Sequence, residues 1–211
     1  MEKNILKKYD CLFLVARDHG LESLKKINDL SQFNIIGIFT HKLNPKSYDI
    51  KQNERKDFLD YLKFAKTNNI PFYTIDKVDE KSLLEEFSLS FNYDFLISIS
   101  WRYLISSEVF SKSNIGSINL HRGDLPTYAG AEPIKRALQN SEKFIYISSH
   151  NISKNFDEGK VIFKIMHPTN YDQIKTIDEN VERLKKEITD YFPQLTIKSL
   201  KFLMDNNDNE L

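Results

Sequence analysis

The first hundred residues alternate short, continuous apolar runs with longer stretches whose apolar positions recur every three or four residues. Residues 12–16 (Leu-Phe-Leu-Val-Ala) form a compact apolar run, the pattern of a strand covered on both faces. Leu21, Leu24, Ile27 and Leu30 then mark one helical stripe. The same reading predicts a strand over 34–40, a helix lined by Phe58, Leu62 and Ala65, a strand over 71–75, a short helix over 82–87 and a strand over 93–100. Pro45 marks the stretch after the second strand as loop. This rhythm predicts a parallel sheet with covering helices and right-handed crossovers.

Beyond Ile115 the texture changes. A strand over 116–121 enters a loop over 122–133 that carries Gly123, Pro126, Gly130 and Pro133. A helix over 134–140 follows, then strands over 144–151 and 160–167 around the polar turn 153–159. Val181, Leu184 and Ile188 make 177–203 helical, with Pro193 expected to break it in two. The expectation is an α/β domain over 1–204, a mostly parallel sheet flanked by helices and closed by C-terminal helices, with 205–211 a disordered tail.

Composition narrows the function classes. A chain of 211 residues buries roughly 70% of its unfolded surface, enough for a core without staples. Thirty basic residues balance thirty acidic ones, which argues against a protein built to grip nucleic-acid phosphates. The single Cys11 excludes an intrachain disulfide and a multi-cysteine zinc site, and no histidine pair has metal-ligand spacing, so no metal is expected. No apolar run approaches the ~20 residues that cross a bilayer. The expected setting is soluble and cytoplasmic, without membrane or nucleic-acid partners.

The informative stretch is Ser117-Ile118-Asn119-Leu120-His121. Alternation along a strand puts Asn119 and His121 on one face, at the end where open α/β sheets bind ligands. Spacing alone gives equal weight to the plainer view that both residues close a turn. Asp157-Glu158-Gly159, taken alone, is ordinary turn chemistry. Trp101 either stacks on a ligand or plugs the core. His41 is expected at the surface. His19 follows the first strand in Arg17-Asp18-His19-Gly20, either a phosphate-facing loop or a polar turn.

Taken in order, Asn119-x-His121, Leu125-Pro126-x-Tyr128-x-Gly130-x-x-Pro133 and Asp157-x-Gly159 resemble the core of the 10-formyltetrahydrofolate-dependent formyltransferases. The resemblance covers about residues 10–200 and implies a Rossmann-type fold with 10-formyltetrahydrofolate as co-substrate. It implies a catalytic set of Asn119, His121 and Asp157, the last two 36 residues apart. Trp101, Arg102, Tyr103 and Leu104 resemble the pterin-wrapping loop, most closely that of enzymes acting on nucleotide-linked amino sugars. Asp124, Leu125 and Pro126 join them as folate-binding candidates. Arg17, His19, Tyr128, Gly130 and His150 are candidates for the acceptor.

In such chemistry an amine attacks the formyl carbon. Asn119 would donate to the developing oxyanion, His121 would take the amine's proton or hold the oxyanion, and Asp157 would orient His121 or relay the proton. The chain departs from the family pattern at Gly123-Asp124, where Ser-Leu is common, at Ala129, commonly Arg, and at Ser148-Ser149 before His150. These positions face the acceptor side.

The expected reaction is N-formylation of a small-molecule amine, foremost a nucleotide-linked amino sugar whose diphosphate would meet Arg17, Lys42 and Lys46. Phosphoribosylglycinamide formyltransferase, formyltetrahydrofolate hydrolase and a folate- or nucleotide-binding pseudoenzyme are the alternatives. Chain length and neutral charge speak against the initiator-tRNA branch, whose members carry a further β-barrel domain. The amphipathic segment 177–203 suggests a homodimer.

Overall fold

The computed structural model describes residues 8–208. Seven strands, β1 (Tyr9–Val15), β2 (Phe33–Thr40), β3 (Phe72–Thr74), β4 (Phe95–Ile99), β5 (Gly116–His121), β6 (Phe144–Asn151) and β7 (Val161–Pro168), form one sheet in the order β3-β2-β1-β4-β5-β6-β7. The pairs among β1 to β5 are parallel, and β5–β6 and β6–β7 are antiparallel. The helices are α1 (Arg17–Asn28), α2 (Phe58–Thr67), α3 (Ser82–Ser90), α4 (Ser107–Phe110), α5 (Pro133–Gln139), α6 (Ile177–Glu187) and α7 (Tyr191–Asp208). The mostly parallel α/β architecture is the one expected.

β1 shows why an apolar run becomes a central strand. Alternate residues point to opposite faces. Cys11, Phe13 and Val15 enter a core shared with Leu24 of α1 and Phe192 and Leu195 of α7. Leu12 and Leu14 enter a second core with Phe39, Phe87 and Leu96. Two helical layers therefore sandwich the sheet, and all five residues are fully buried. Burying a side chain of this size is worth about 1.5–3 kcal/mol.

β1 begins three residues before the expected run; every other strand bound falls within two residues of expectation, and β5 and β6 have the expected bounds. The C-terminal helices divide elsewhere. The break lies between Glu187 and Tyr191, and Pro193 sits in the first turn of α7, where its missing N–H costs nothing. α6 starts at a capping box: Thr176 Oγ1 accepts from the Glu179 amide and Glu179 returns the contact to the Thr176 amide. α7 carries on to Asp208, past the expected helix end at 203 and into the stretch expected to be disordered, and 209–211 lie outside the described residues. The short α4 was not expected, since four residues carry no period.

Because β1, β4 and β5 run parallel side by side, their carboxyl ends open on one edge of the sheet. The chain order reverses between β1 and β4, which is where such sheets leave a crevice.

Candidate active site

The loop after β4, the ends of β4 and β5, and the β6–β7 loop enclose a cavity of about 460 Å³. Ser100 to Leu104 form one wall. Asn119, His121, Gly130, His150 and Asp157 also line it, and their side chains and backbone form one polar group. Three non-glycine residues in the left-handed backbone region line it, Ser100 (φ 57°), Glu132 (φ 50°) and Asp157 (φ 57°). Such conformations cost energy and concentrate at working sites.

The strand register assembles the polar group. Asn119 on β5 faces His150 on β6 across the antiparallel ladder. Asn119 Nδ2 donates to His150 Nε2 at 3.0 Å and to Asp157 Oδ1 at 3.3 Å. His150 Nδ1–H donates to the Asn151 carbonyl at 2.9 Å, which leaves Nε2 as the acceptor that Asn119 needs. Asp157 Oδ2 accepts from the Gly130 amide at 2.9 Å and lies 3.3 Å from His121 Nδ1. Burial raises the Asp157 pKa, but His150, His121 and the Gly130 amide outweigh it and hold the carboxylate below its ordinary value.

His121 is enclosed, and its Nε2 donates to the Tyr128 carbonyl at 2.8 Å. Both ring nitrogens thus face oxygen acceptors, which favours the imidazolium. Burial acts more strongly, and the pKa lies below that of a free imidazole. Gly123 makes the Tyr128 contact possible. A Cβ there would stand 2.6 Å from the Tyr128 oxygen and 2.7 Å from His121 Nε2. The departure from the family's serine therefore has a steric reason. Gly159 is required for another: a Cβ would fall 1.7 Å from the Asn151 oxygen.

The other expected residues divide. Trp101, Arg102, Tyr103 and Leu104 line the cavity. Asp124, Leu125 and Pro126 do not: Asp124 pairs with Lys164 at 2.5 Å, Leu125 is buried, and Pro126 is exposed after a cis peptide bond. Tyr128 reaches the site only through its carbonyl, while its hydroxyl donates to Glu142 at 2.8 Å. His19 is no surface loop residue. It lies buried in the first turn of α1, bonds the Ser100 hydroxyl at 2.7 Å and packs on Phe192. Burial lowers its pKa, and the charges of Arg122, Arg17, Lys185 and Arg55 add to the effect. Arg17, at φ 70°, sits outside the cavity lining. Arg122, absent from the expected set, does line the cavity, and burial and the charge of Arg17 push its pKa down to about 10.

His41 corrects the sequence expectation most sharply. It is 1% exposed rather than at the surface, stacked on Trp101 at 4.3 Å. Burial, with the Arg102 charge second, pushes its pKa down to about 3. In the unfolded chain the ring takes its proton near pH 6.5. Between these values the unfolded state holds the extra proton, so stability drops as pH falls from about 6.5 toward 3. Urea unfolding at pH 7, 5 and 4 is expected to show this loss, with a flatter dependence for His41→Gln. Equal slopes would contradict it.

With this geometry in place, a family model described as "Formyl transferase" matches residues 19–196. The chain belongs to the formyl transferase family. This formyl transferase domain is 26% identical over 191 residues to a methionyl-tRNA formyltransferase of Kosmotoga olearia, covering 90% of this chain and 57% of that protein. It is 30% identical over 171 residues to the Thermotoga neapolitana protein of the same name, covering 81% and 51%. The chain thus spans about half the length of the curated relatives it matches. Among solved structures, a formyltetrahydrofolate deformylase from Pseudomonas syringae superposes with TM-score 0.72 at 18% identity, covering 95% of this chain and 63% of that one. Phosphoribosylglycinamide formyltransferase from Streptococcus pneumoniae gives 0.64 at 20% identity, covering 92% and 98%. These two likenesses establish the shared Rossmann-like fold.

The relatives named here are tRNA formyltransferases; the likeness to amino-sugar enzymes rests on the motif around Trp101 alone. Among the described residues, no helix is long and apolar enough to cross a membrane.

Proposed function

We propose that the protein transfers a formyl group from 10-formyltetrahydrofolate to a primary amine, through Asn119, His121 and Asp157. The observation that supports this most directly is the convergence of these three side chains, with His150, in the lining of the cavity. The loop after β4 suits the co-substrate: Trp101 and Tyr103 line the cavity with two aromatic rings set edge to face at 81°, and the volume accepts a bicyclic ring.

Both amide hydrogens of Asn119 are engaged by His150 and Asp157 in the free site. Release of one of these two contacts would free an Asn119 N–H for the formyl oxygen. His121, kept largely neutral near pH 7 by burial, takes the amine's proton on Nδ1, the nitrogen its Nε2–H contact with the Tyr128 carbonyl leaves without a hydrogen. Asp157, held ionised, stabilises the imidazolium that results. The acid limb of kcat/KM against pH is therefore expected below the ordinary imidazole value of about 6.5. An acid limb above it would remove His121 as the base.

For the acceptor we favour a small anionic amine, a nucleotide-linked amino sugar foremost. Arg122 lines the cavity close enough to Arg17 for their charges to repel, with Glu182 the acid opposing them. Such a pair receives phosphate oxygens well. Methionyl-tRNA is the second reading, carried by the relatives' names. Incubation with 10-formyltetrahydrofolate and, in turn, amino-sugar nucleotides, glycinamide ribonucleotide and methionyl-tRNA decides among them by tetrahydrofolate release. Formate release without acceptor would indicate a hydrolase. Tight folate binding without turnover in any arm would indicate a pseudoenzyme.

A further inference from the structure

The folate wall is supported from behind by a residue outside the cavity. His41, at the end of β2, does not line the cavity, yet it contacts the wall in three ways. Its ring stacks on the Trp101 indole with centroids 4.3 Å apart and planes inclined by 25°. Its Nε2 accepts the Arg102 amide at 3.3 Å. Its edge meets Tyr103 at 5.4 Å and 81°. On the far side Nδ1–H donates to the Ile75 carbonyl at 2.5 Å, just past β3. A donor at Nδ1 and an acceptor at Nε2 describe one neutral tautomer, so the ring bridges two strand ends to the loop without internal conflict.

Trp101 needs that support. Its indole Nε1 is buried and has no hydrogen-bond partner, so no polar contact of its own fixes the ring. The remaining anchors of the loop are Arg102 to the Leu43 carbonyl and Tyr103 to the Asp76 carbonyl; of these only the Tyr103 ring meets the indole, edge to face at 6.0 Å, and that ring itself lies against His41. Ser100, the first residue of the wall, is in the left-handed region and its hydroxyl bonds His19 at 2.7 Å, which sets the direction of the loop but not the tilt of the ring.

We infer that His41 is a positioning residue that fixes the Trp101 wall of the cavity and thereby sets its affinity for the folate. The inference rests on the proposed co-substrate for its second half and on geometry alone for its first. It predicts a split between substrates: the dissociation constant and KM for folate change, while the acceptor KM stays within about twofold.

Trp101 is the single tryptophan of the chain, so its fluorescence reports this wall and nothing else. Two full-length variants separate the contacts. His41→Phe keeps an aromatic ring against the indole and removes both hydrogen bonds. His41→Gln restores a group able to accept the Arg102 amide. Folding of each is checked by circular dichroism melting. Acrylamide quenching of Trp101 without ligand is expected to rise in His41→Phe and to return toward wild type in His41→Gln. Titration with 5-formyltetrahydrofolate, a stable isomer of the co-substrate, is expected to show about tenfold weaker binding in His41→Phe, partly rescued in His41→Gln.

Should His41→Phe prove too unstable, the comparison of His41→Gln with wild type carries the same readouts. Unchanged quenching and unchanged folate affinity in a folded His41→Phe overturn the inference, as does an equal rise in both KM values. Failure of the wild-type protein to bind the folate overturns the proposed co-substrate instead, and the quenching comparison still decides whether His41 fixes the indole.

Discussion

Alanine at Asn119 is expected to lower turnover by about 10²- to 10³-fold, and alanine at His121 by about 10²- to 10⁴-fold, with little change in melting temperature. The first loss is that of one preorganised donor to an oxyanion, worth about 3–4 kcal/mol in comparable sites. Both residues are only partly buried at the end of β5, and the apolar face of that strand is carried by Ile118 and Leu120, so the core does not depend on them. The effects should not add. Asn119, His150, Asp157 and His121 form one connected network, and removing any member disorders the rest. The double variant is expected to be little slower than the His121 variant alone. Tetrahydrofolate release under saturating folate measures all three, and a single variant of near-normal rate would mean the reaction runs elsewhere.

Alanine at Gly159 is expected to cost about 3 kcal/mol of stability and most of the activity of whatever remains folded. The added Cβ would fall 1.7 Å from the Asn151 carbonyl oxygen and 3.2 Å from His150 Nδ1. The first neighbour is backbone at the end of β6, tied to Lys160 by its own amide, and has nowhere to turn. Relief requires the β6–β7 connection to move, and Asp157 moves with it. Urea unfolding paired with a turnover assay at low temperature reads both effects. Wild-type stability in Gly159→Ala would show that the connection is softer than its contacts indicate.

The sheet and most of the site could be read from the chain because both follow from alternation. β1 and β4 are short apolar runs that only a doubly covered strand accommodates, and β5 and β6 carry enough alternation to locate their ends. Motif marks Asn119, His121 and Asp157, which converge at the candidate site, and also Asp124, Leu125 and Pro126, which lie outside the cavity lining. Those residues shape the loop, whereas its backbone, through the Tyr128 carbonyl, makes the contact. Backbone groups leave no mark in a sequence. His41 and His19 were misjudged because a histidine at a strand end or helix start reads as polar, and only the packing of Trp101 and Phe192 against them reveals their burial. Pro193 was placed at a break because proline in a helix interior is costly, but its place in the first turn depends on where the helix begins.

The pairing of Asn119 with His150 across β5 and β6 makes the site tolerant of one kind of change and intolerant of another. A substitution alters one side chain and leaves the facing of the strand's other residues as before. Loss or gain of a single residue between Ser148 and Asn151 shifts the register by one and turns every later side chain of β6 to the opposite face. His150 would then enter the layer packed against α7, and Ser149 or Asn151 would face Asn119 in its place. Descendants of this chain can therefore vary their loops in length and their site in composition, while the spacing along β6 stays frozen.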